Sequence, residues 1–435
     1  MLRWLEAALG TAITVLMEWH VILQQRDVRR NPRLWSSMLP LCAAQNFLHR
    51  EPANPLLWAL CNGGRTLGET GAAPIDVGLI GFGLAGRAFH APVIRAVPGL
   101  RLNAILQRSG SQAAETYPDV RIVRSVEELL SIPEIQLVVI ATPNDTHHPL
   151  AMRCLAAGRH VIVDKPFATT LHEAISLVRF ARQQNRLLTV YQNRRYDSDF
   201  QIIQKLVASQ ALGRIVRFES NYDRYRPQLK PGAWREHSGP GTGILFDLAP
   251  HLIDHALVLF GVPEAITADV RIERDGAKAD DAFDIVLHYR GGTAGEMRAV
   301  LRSTMLAATP RPRFLLYGTA ASFLKQAFDP QEMNLRSGHI PADTAWGAEP
   351  EENWGVLTRP HGDAFVQERI PPANCDYRDY YKNVRDGILG TAELVVTPES
   401  ALNVMQALEL ARESSDRRQT IAWRAPALER SEAAV

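Results

Sequence analysis

The sequence predicts an α/β Rossmann domain, a doubly wound parallel sheet, followed by an α+β domain with an open, mostly antiparallel sheet. Three observations predict it. A buried apolar run at Ile75–Ile80 ends in a glycine-rich turn. From there to Tyr191, short apolar runs alternate with stretches of helical length, the pattern of parallel strands and their crossover helices. Beyond Tyr196 the apolar residues change to period-two runs, interrupted by one long helical stretch.

The elements follow in order. Ile75–Ile80 is the first strand, and Gly81-Phe82-Gly83-Leu84-Ala85-Gly86 spells G-x-G-x-x-G before a helix that runs through Phe89 to Val97. Gly81 makes the turn, Gly83 lets a pyrophosphate approach the backbone, and Gly86 lets the helix lie close to the strand. Free N–H groups at the helix start suit phosphate. Residues Gly81 to Gly86 are therefore candidates for binding a dinucleotide. Leu100–Leu106 reads as the second strand, Val126–Leu130 as a short helix and Leu137–Ala141 as a strand ending in Thr142-Pro143-Asn144. A helix from Leu150 to Ala157 closes at Gly158. The strand His160–Val163 ends at Asp164-Lys165-Pro166, and a helix over Leu171–Gln184 leads to a strand over Leu187–Tyr191. Ligands of such sheets lie beyond the carboxyl ends of the strands.

In the second domain, a helix over Phe200–Leu212 is expected to be capped by Gly213. Strands follow at Ile215–Glu219, Phe283–Tyr289, Gly295–Arg302 and Phe314–Gly318, with a helix over Leu248–Phe260. Ala342–Pro371, rich in Pro, Gly and acids, reads as loop, and Tyr377–Leu389 and Glu399–Ser414 read as closing helices. The expected divisions are an N-terminal extension at 1–73, a Rossmann domain at 74–195, a substrate and oligomerisation domain at 196–423 and a disordered tail at 424–435. The extension carries four of the eight Trp and a basic patch at Arg26, Arg29, Arg30 and Arg33. Glu6 and Glu18 interrupt its apolar stretch, which is too short to span a bilayer. It reads as a poorly ordered terminus, with a partner-binding helix as the alternative.

Composition narrows the function. The chain has 435 residues, 46% hydrophobic and 22% charged, with a net charge of +1, so no global field points to nucleic acid or a membrane surface. Four cysteines without paired spacing fit a reducing cytoplasm. Arg greatly outnumbers Lys, and only six lysines occur, so Lys165 at the end of an apolar strand calls for its own explanation. A lysine pointed into a ligand crevice can share protons with a reacting hydroxyl.

Two further stretches carry chemistry. The second strand ends in Gln107-Arg108-Ser109 with no acid until Glu115. An acid there would bind the ribose hydroxyl of NAD, whereas an Arg beside a hydroxyl suits the 2′-phosphate of NADP. NADP is expected over NAD, with Arg108 and Ser109 as the contacts. In Gly243-Ile244-Leu245-Phe246-Asp247-Leu248-Ala249-Pro250-His251, Asp247 and His251 are four apart and share a helix face. Pro250 is expected in the first turn, with Asp247 as N-cap, and the Asp247 carboxylate is expected to orient His251 and favour its protonated form. His255, four further on, has zinc spacing but no convincing third ligand, so no metal is expected.

Together these blocks resemble the Gfo/Idh/MocA family of nicotinamide-dependent oxidoreductases, from about Ile75 to Trp423. The resemblance rests on the glycine turn, Ala141-Thr142-Pro143-Asn144 with His147, Asp164-Lys165-Pro166, and Asp247 with His251. Phe89-His90-Ala91-Pro92, Asn193-Arg194-Arg195-Tyr196-Asp197-Ser198-Asp199-Phe200 and Trp234-Arg235-Glu236 place it near a bacterial branch that includes NADP-dependent scyllo-inositol dehydrogenases. The family's usual Glu-Lys-Pro is Asp164-Lys165-Pro166 here. The resemblance implies hydride transfer between NADP and a secondary alcohol or ketone of a cyclic polyol or sugar. Lys165, Asp247 and His251 would handle the proton, with either Lys165 or His251 as the base. Thr142, Asn144, His147 and Lys165 would lie at the cofactor. Candidate substrate contacts are Asn193, Tyr222 and Arg235, with Arg194, Arg224 and Tyr225 as further polar candidates, while Arg226, Trp234 and Arg235 could serve either the cofactor or the substrate. A cytoplasmic homodimer or homotetramer, joined through the open sheet, is implied. The alternatives are a non-catalytic NADP-binding sensor or partner subunit, and a reductase of another carbonyl on the same fold.

Overall fold

The computed structural model describes residues 73–230, 232, 236–291, 295–341, 346–373 and 376–428. Expectations about residues 1–72, about Trp234 and Arg235, and about the tail from 429 onward lie outside the described residues.

Six strands form the first sheet: β1 (Ile75–Ile80), β2 (Leu100–Leu106), β3 (Arg121–Val123), β4 (Ile135–Ile140), β5 (His160–Val163) and β6 (Leu188–Val190). All pairs are parallel, in the order β3-β2-β1-β4-β5-β6. Every residue of β1 is buried, as expected of a strand covered by helices on both faces. The strand order reverses between β1 and β4, which opens a crevice at their carboxyl ends. A π-helical turn at Ala85–His90 runs into α1 (Ala91–Arg95). Then come α2 (Gln112–Thr116), α3 (Val126–Leu130), α4 (His147–Ala156) and α5 (Leu171–Gln183). Helix α5 starts at a reciprocal capping box between Thr170 and Glu173. Helix α4 begins three residues earlier than its apolar pattern suggests, at His147.

The second domain opens with α6 (Ser198–Ala208) and β7 (Ile215–Asn221), followed by the long helix α7 (Gly243–Phe260). After it come β8 (Ala265–Arg271), β9 (Ala282–Tyr289), β10 (Met297–Thr304), β11 (Phe314–Gly318) and β12 (Ser322–Lys325). Helix α8 (Gln331–Arg336), the hairpin β13 (Gly355–His361) and β14 (Ala364–Ile370), helices α9 (Arg378–Ile388) and α10 (Pro398–Arg417), and β15 (Ile421–Ala422) complete the chain. The sheet order is β14-β13-β12-β11-β7-β10-β9-β8-β15, and only β7 and β10 run parallel. Helix α7 is largely apolar because it is the core helix, 67% buried, and packs against the sheet and α10. Each Leu or Ile it buries contributes roughly 1.5–3 kcal/mol.

The structure corrects several expectations. Helix α6 stops at Ala208, so Gly213 is not its cap. That glycine has φ of 69° and lies so close to β11 that a Cβ would stand 2.6 Å from Thr319 Oγ1. The supposed loop at Ala342–Pro371 contains β13 and β14. Helix α7 begins at Gly243 with Thr242 as N-cap, so Asp247 lies inside the helix and Pro250 well past its first turn. Residues 424–428 are ordered without regular secondary structure, and Arg179 donates to the carbonyls of Ala427 and Leu428 at 3.0 and 3.1 Å.

Candidate active site

The glycine turn is built as its spacing requires. Gly81 has φ of 100°, and a Cβ there would stand 2.4 Å from the Ala141 carbonyl oxygen. At Gly86 a Cβ would stand 2.0 Å from the Gly81 carbonyl oxygen. Neither position can hold a side chain without moving backbone. Gly83 differs: nothing lies within 4 Å of its missing Cβ and its φ is ordinary. Neither conformation nor protein contact requires glycine there, and the open space is a cradle that a Cβ would fill. That is what a bound pyrophosphate needs. Phe82 is buried edge-on against Tyr117, Leu84 is exposed and Ala85 half-buried.

Arg108 and Ser109 lie just past β2, with exposed side chains. Their loop is held from both ends. Gln107 Oε1 accepts from Ala113 N at 2.8 Å, and Arg124 donates to the carbonyls of Gln107 and Gly110 at 2.7 and 2.9 Å.

At the end of β4, Thr142 bonds Thr146 at 2.6 Å through their hydroxyls. Asn144 is buried, and its Nδ2 donates to the Gly241 carbonyl at 2.6 Å, joining the first domain to the segment ahead of α7. His147, expected at the cofactor, is fully buried, with its ring set between two backbone carbonyls. Its Nδ1 lies 2.8 Å from Pro166 O and its Nε2 3.0 Å from Thr142 O. It ties the β4 and β5 loops together, while burial pushes its pKa down.

Asp164 and Lys165 follow β5, and the Lys165–Pro166 peptide is cis. Asp164 Oδ1 accepts from Lys165 N at 2.8 Å. Burial pushes this carboxyl up, but His90, Lys165 and His147 together hold it below the usual range. His90 is fully buried, with Nδ1 2.6 Å from Tyr381 Oη and Nε2 3.8 Å from Asp164 Oδ2. Nothing in the local sequence signals this connection to a helix 291 residues away.

Lys165 Nζ donates to Asp247 O at 2.5 Å and Asp247 Oδ1 at 3.2 Å. Arg224 NH1 reaches Asp247 Oδ2 at 3.3 Å, so one carboxylate serves two cations. His251, one turn further along α7, is 5% exposed, and its Nδ1 is buried without a hydrogen-bond partner among the described residues. Burial first, then the charges of Lys165 and Arg194, push its pKa well below the ordinary value. This differs from the expectation that Asp247 favours the protonated ring, since burial and the neighbouring cations oppose protonation. His255 stacks on Phe200 with centroids 4.0 Å apart, and its Nε2 lies 3.0 Å from the Arg194 carbonyl.

The remaining candidates divide. Tyr222 and Arg194 meet at 3.1 Å, and Arg194 also pairs with Asp197 at 3.1 Å and with Glu332 on α8. Asn193 is half-buried at the head of the same turn, and Tyr225 is exposed. Glu332 was invisible to sequence reasoning, since it lies 138 residues from Arg194 with no motif around it.

A Rossmann sheet with an open glycine cradle, and a lysine–carboxylate pair beside a buried histidine at the strand ends, together define a dinucleotide-binding oxidoreductase. Family models support the assignment over most of the chain. The oxidoreductase-family NAD-binding Rossmann fold matches residues 75–192, and the oxidoreductase-family C-terminal alpha/beta domain matches 204–422. The chain belongs to the Gfo/Idh/MocA oxidoreductase family. It is 42% identical to the uncharacterized oxidoreductase YdgJ of Escherichia coli, over 80% of this chain and 98% of that one. It is 38% identical to scyllo-inositol 2-dehydrogenase (NADP(+)) IolW of Bacillus subtilis, over 80% of this chain and 95% of that one. The solved structure of putative oxidoreductase yvaA from Bacillus subtilis superposes with a TM-score of 0.77 at 37% identity, over 81% of this chain and 99% of that one.

Proposed function

We propose that the protein is an NADP-dependent oxidoreductase that interconverts a secondary alcohol and a ketone on a cyclic polyol or sugar. The observation that carries this reading is the Lys165–Asp247–Arg224 arrangement at the carboxyl end of β5. Gly81, Gly83 and Gly86 would hold the pyrophosphate, and Arg108 with Ser109 would hold the 2′-phosphate. Thr142 and Asn144 would border the cofactor. When bound, the nicotinamide supplies the hydride chemistry.

The chain's own residues then handle the proton. Two of the three N–H bonds of Lys165 Nζ are occupied by Asp247, which leaves the third for the substrate oxygen. In reduction the ammonium gives that third proton to the substrate oxygen and is left as the amine, and in oxidation the amine takes the carbinol proton and becomes the ammonium again. Asp247 keeps the ammonium in place, and Arg224 steadies Asp247 from the other side. Held by Asp247, Lys165 Nζ is the group that exchanges the proton, and His251, one turn further along α7, orients the substrate.

The name of the 38% identical Bacillus subtilis relative supports both NADP and an inositol-like substrate. The reading includes a cytoplasmic homodimer or homotetramer joined through the open sheet face, where Leu315, Leu324 and Val356 line up across β11, β12 and β13 beside the exposed Tyr317. The test is turnover of the purified enzyme with NADP and NAD separately against inositols and aldoses, in wild type and in Lys165→Ala. Turnover preferring NADP, lost by about 10²–10⁴-fold in Lys165→Ala while NADPH still binds, is expected. Near-wild-type rates in Lys165→Ala would overturn the proton assignment. Turnover with NAD alone would overturn the role of Arg108.

A further inference from the structure

Beyond β7 the chain stays extended. Tyr222 N, Arg224 N and Arg226 N donate to the carbonyls of Arg302, Thr304 and Met305 at 2.9, 2.9 and 2.7 Å. Alternate side chains of an extended segment share a face, so Tyr222, Arg224 and Arg226 form one row. The residues between them point elsewhere: Asp223 pairs with Arg311 at 2.6 Å, and Tyr225 is 61% exposed.

The row borders the Lys165–Asp247 pair through Arg224, whose guanidinium also lies 4.8 Å from the Tyr222 ring centre. Helix α8 adds Glu332, which contacts Arg194 and stands 2.8 Å from Arg336 NH1. The charges do not balance. Asp247 is shared by Lys165 and Arg224, and Glu332 by Arg194 and Arg336, with Asp197 as a second partner of Arg194. Arg226 has no side-chain hydrogen bond or ion pair among the described residues. Arg226 is exposed, and partial burial, then Arg224 and Arg336, push its guanidinium below the ordinary value, with Asp247 and Tyr222 opposing them. Like charges held together repel, and an anion that completes the cluster relieves that repulsion. Arginines suit carboxylate and phosphate because their forked donors match the paired oxygens.

We propose that the substrate is itself an anion: a polyhydroxylated alcohol or ketone carrying a carboxylate or phosphate, which Arg226, Arg224 and Arg336 bind while the reacting carbon faces Lys165. This rests on the reading of Lys165 as the proton-handling group. The first domain provides for the dinucleotide's phosphates, and the arginine row belongs to the second domain, on the substrate side of Lys165.

The experiment uses the full chain loaded with NADPH. Binding of D-glucuronate, D-glucose 6-phosphate, D-glucose and scyllo-inositol is measured by calorimetry, and turnover of the same compounds with NADP, in wild type and in Arg226→Gln. One anion should bind at least about tenfold more tightly than either neutral compound, and Arg226→Gln should remove most of that preference by weakening the anion more than the neutral ligands. The preference should also weaken as salt is raised. Which anion wins separates sugar acids from sugar phosphates. Equal or tighter binding of the neutral compounds, or an anion preference that survives Arg226→Gln, overturns the inference. Turnover of scyllo-inositol by wild type would still leave the oxidoreductase reading standing. Loss of that reading would appear instead as full activity in Lys165→Ala.

Discussion

The glycine turn allows structure and ligand to be separated with two single-methyl substitutions. In Gly83→Ala the added methyl meets no protein atom within 4 Å and the backbone needs no unusual φ. The free protein should therefore keep its stability or gain about 0.4–1 kcal/mol, because alanine restricts the unfolded chain more than glycine. The same methyl occupies the space proposed for the pyrophosphate. Steric overpacking costs about 1–3 kcal/mol, which weakens NADPH binding roughly 5- to 150-fold. In Gly86→Ala the methyl would stand 2.0 Å from the Gly81 carbonyl oxygen, so backbone must move and the free protein itself should lose about 1–3 kcal/mol or more. The assay is thermal melting with and without NADPH, together with a fluorescence titration of the nucleotide. Gly83→Ala should melt like wild type without NADPH and lose its stabilisation with it. Wild-type affinity in Gly83→Ala, or an apo melting temperature as low as that of Gly86→Ala, would refute the assignment of the cradle.

Two other outcomes are expected. Asn144→Ala removes the 2.6 Å bond to the Gly241 carbonyl and should cost about 1–3 kcal/mol in denaturant unfolding. It should also raise KM for nucleotide and substrate together, since both domains are held by that contact. Acid stability should be governed by buried histidines. His147, His251 and His255 all have pKa values pushed below normal by burial, so their contribution is complete above about pH 6.5, their unfolded value, and is lost as the pH falls through their folded values. Asp197 and Asp199, raised by burial, act in the opposite sense, and their contribution grows as the pH falls toward the unfolded value of about 3.9. His255→Gln keeps a donor for the Arg194 carbonyl but cannot titrate, so its urea midpoint should fall less between pH 7 and pH 5 than that of wild type. An unchanged slope would remove His255 from the account.

The first domain was legible because its signals are local. The continuous apolar runs of β1, β4 and β5 and the glycine turn each announce a buried parallel strand or a tight approach without help from distant residues. The second domain was harder. β14 is exposed along almost its whole length, so its residues show no apolar period and its hairpin with β13 reads as loop. The start of α7 was misplaced because Pro250 was assigned to a first turn. The helix instead carries the proline in its interior, and the neighbouring Asp247 carbonyl accepts from Lys165. Lys165 and Asp247 could be named as candidates from a strand end and a helical spacing, and Arg224 only as one of several polar candidates for the substrate. That Asp247 bridges the two cations could not, since the bridge depends on three segments meeting in space. Glu332 and Tyr381 carry no local mark at all, and only the folded chain brings them to Arg194 and His90.

The way α9 returns to the first domain has a consequence for how the chain is made. Tyr377, Tyr380, Tyr381 and Val384 complete the hydrophobic cluster that holds β1, the π-helical turn and Tyr191, and Tyr381 supplies the hydroxyl that meets His90. The nucleotide-binding half therefore lacks part of its own interior until α9, far beyond the last strand of its sheet, has left the ribosome. A fragment ending at residue 195 would expose an aromatic socket, inviting self-association or chaperone capture, even though its sheet is complete in sequence. For the same reason the two halves cannot be exchanged with those of a relative at the linker alone. A working chimera has to carry α9 along with the first domain.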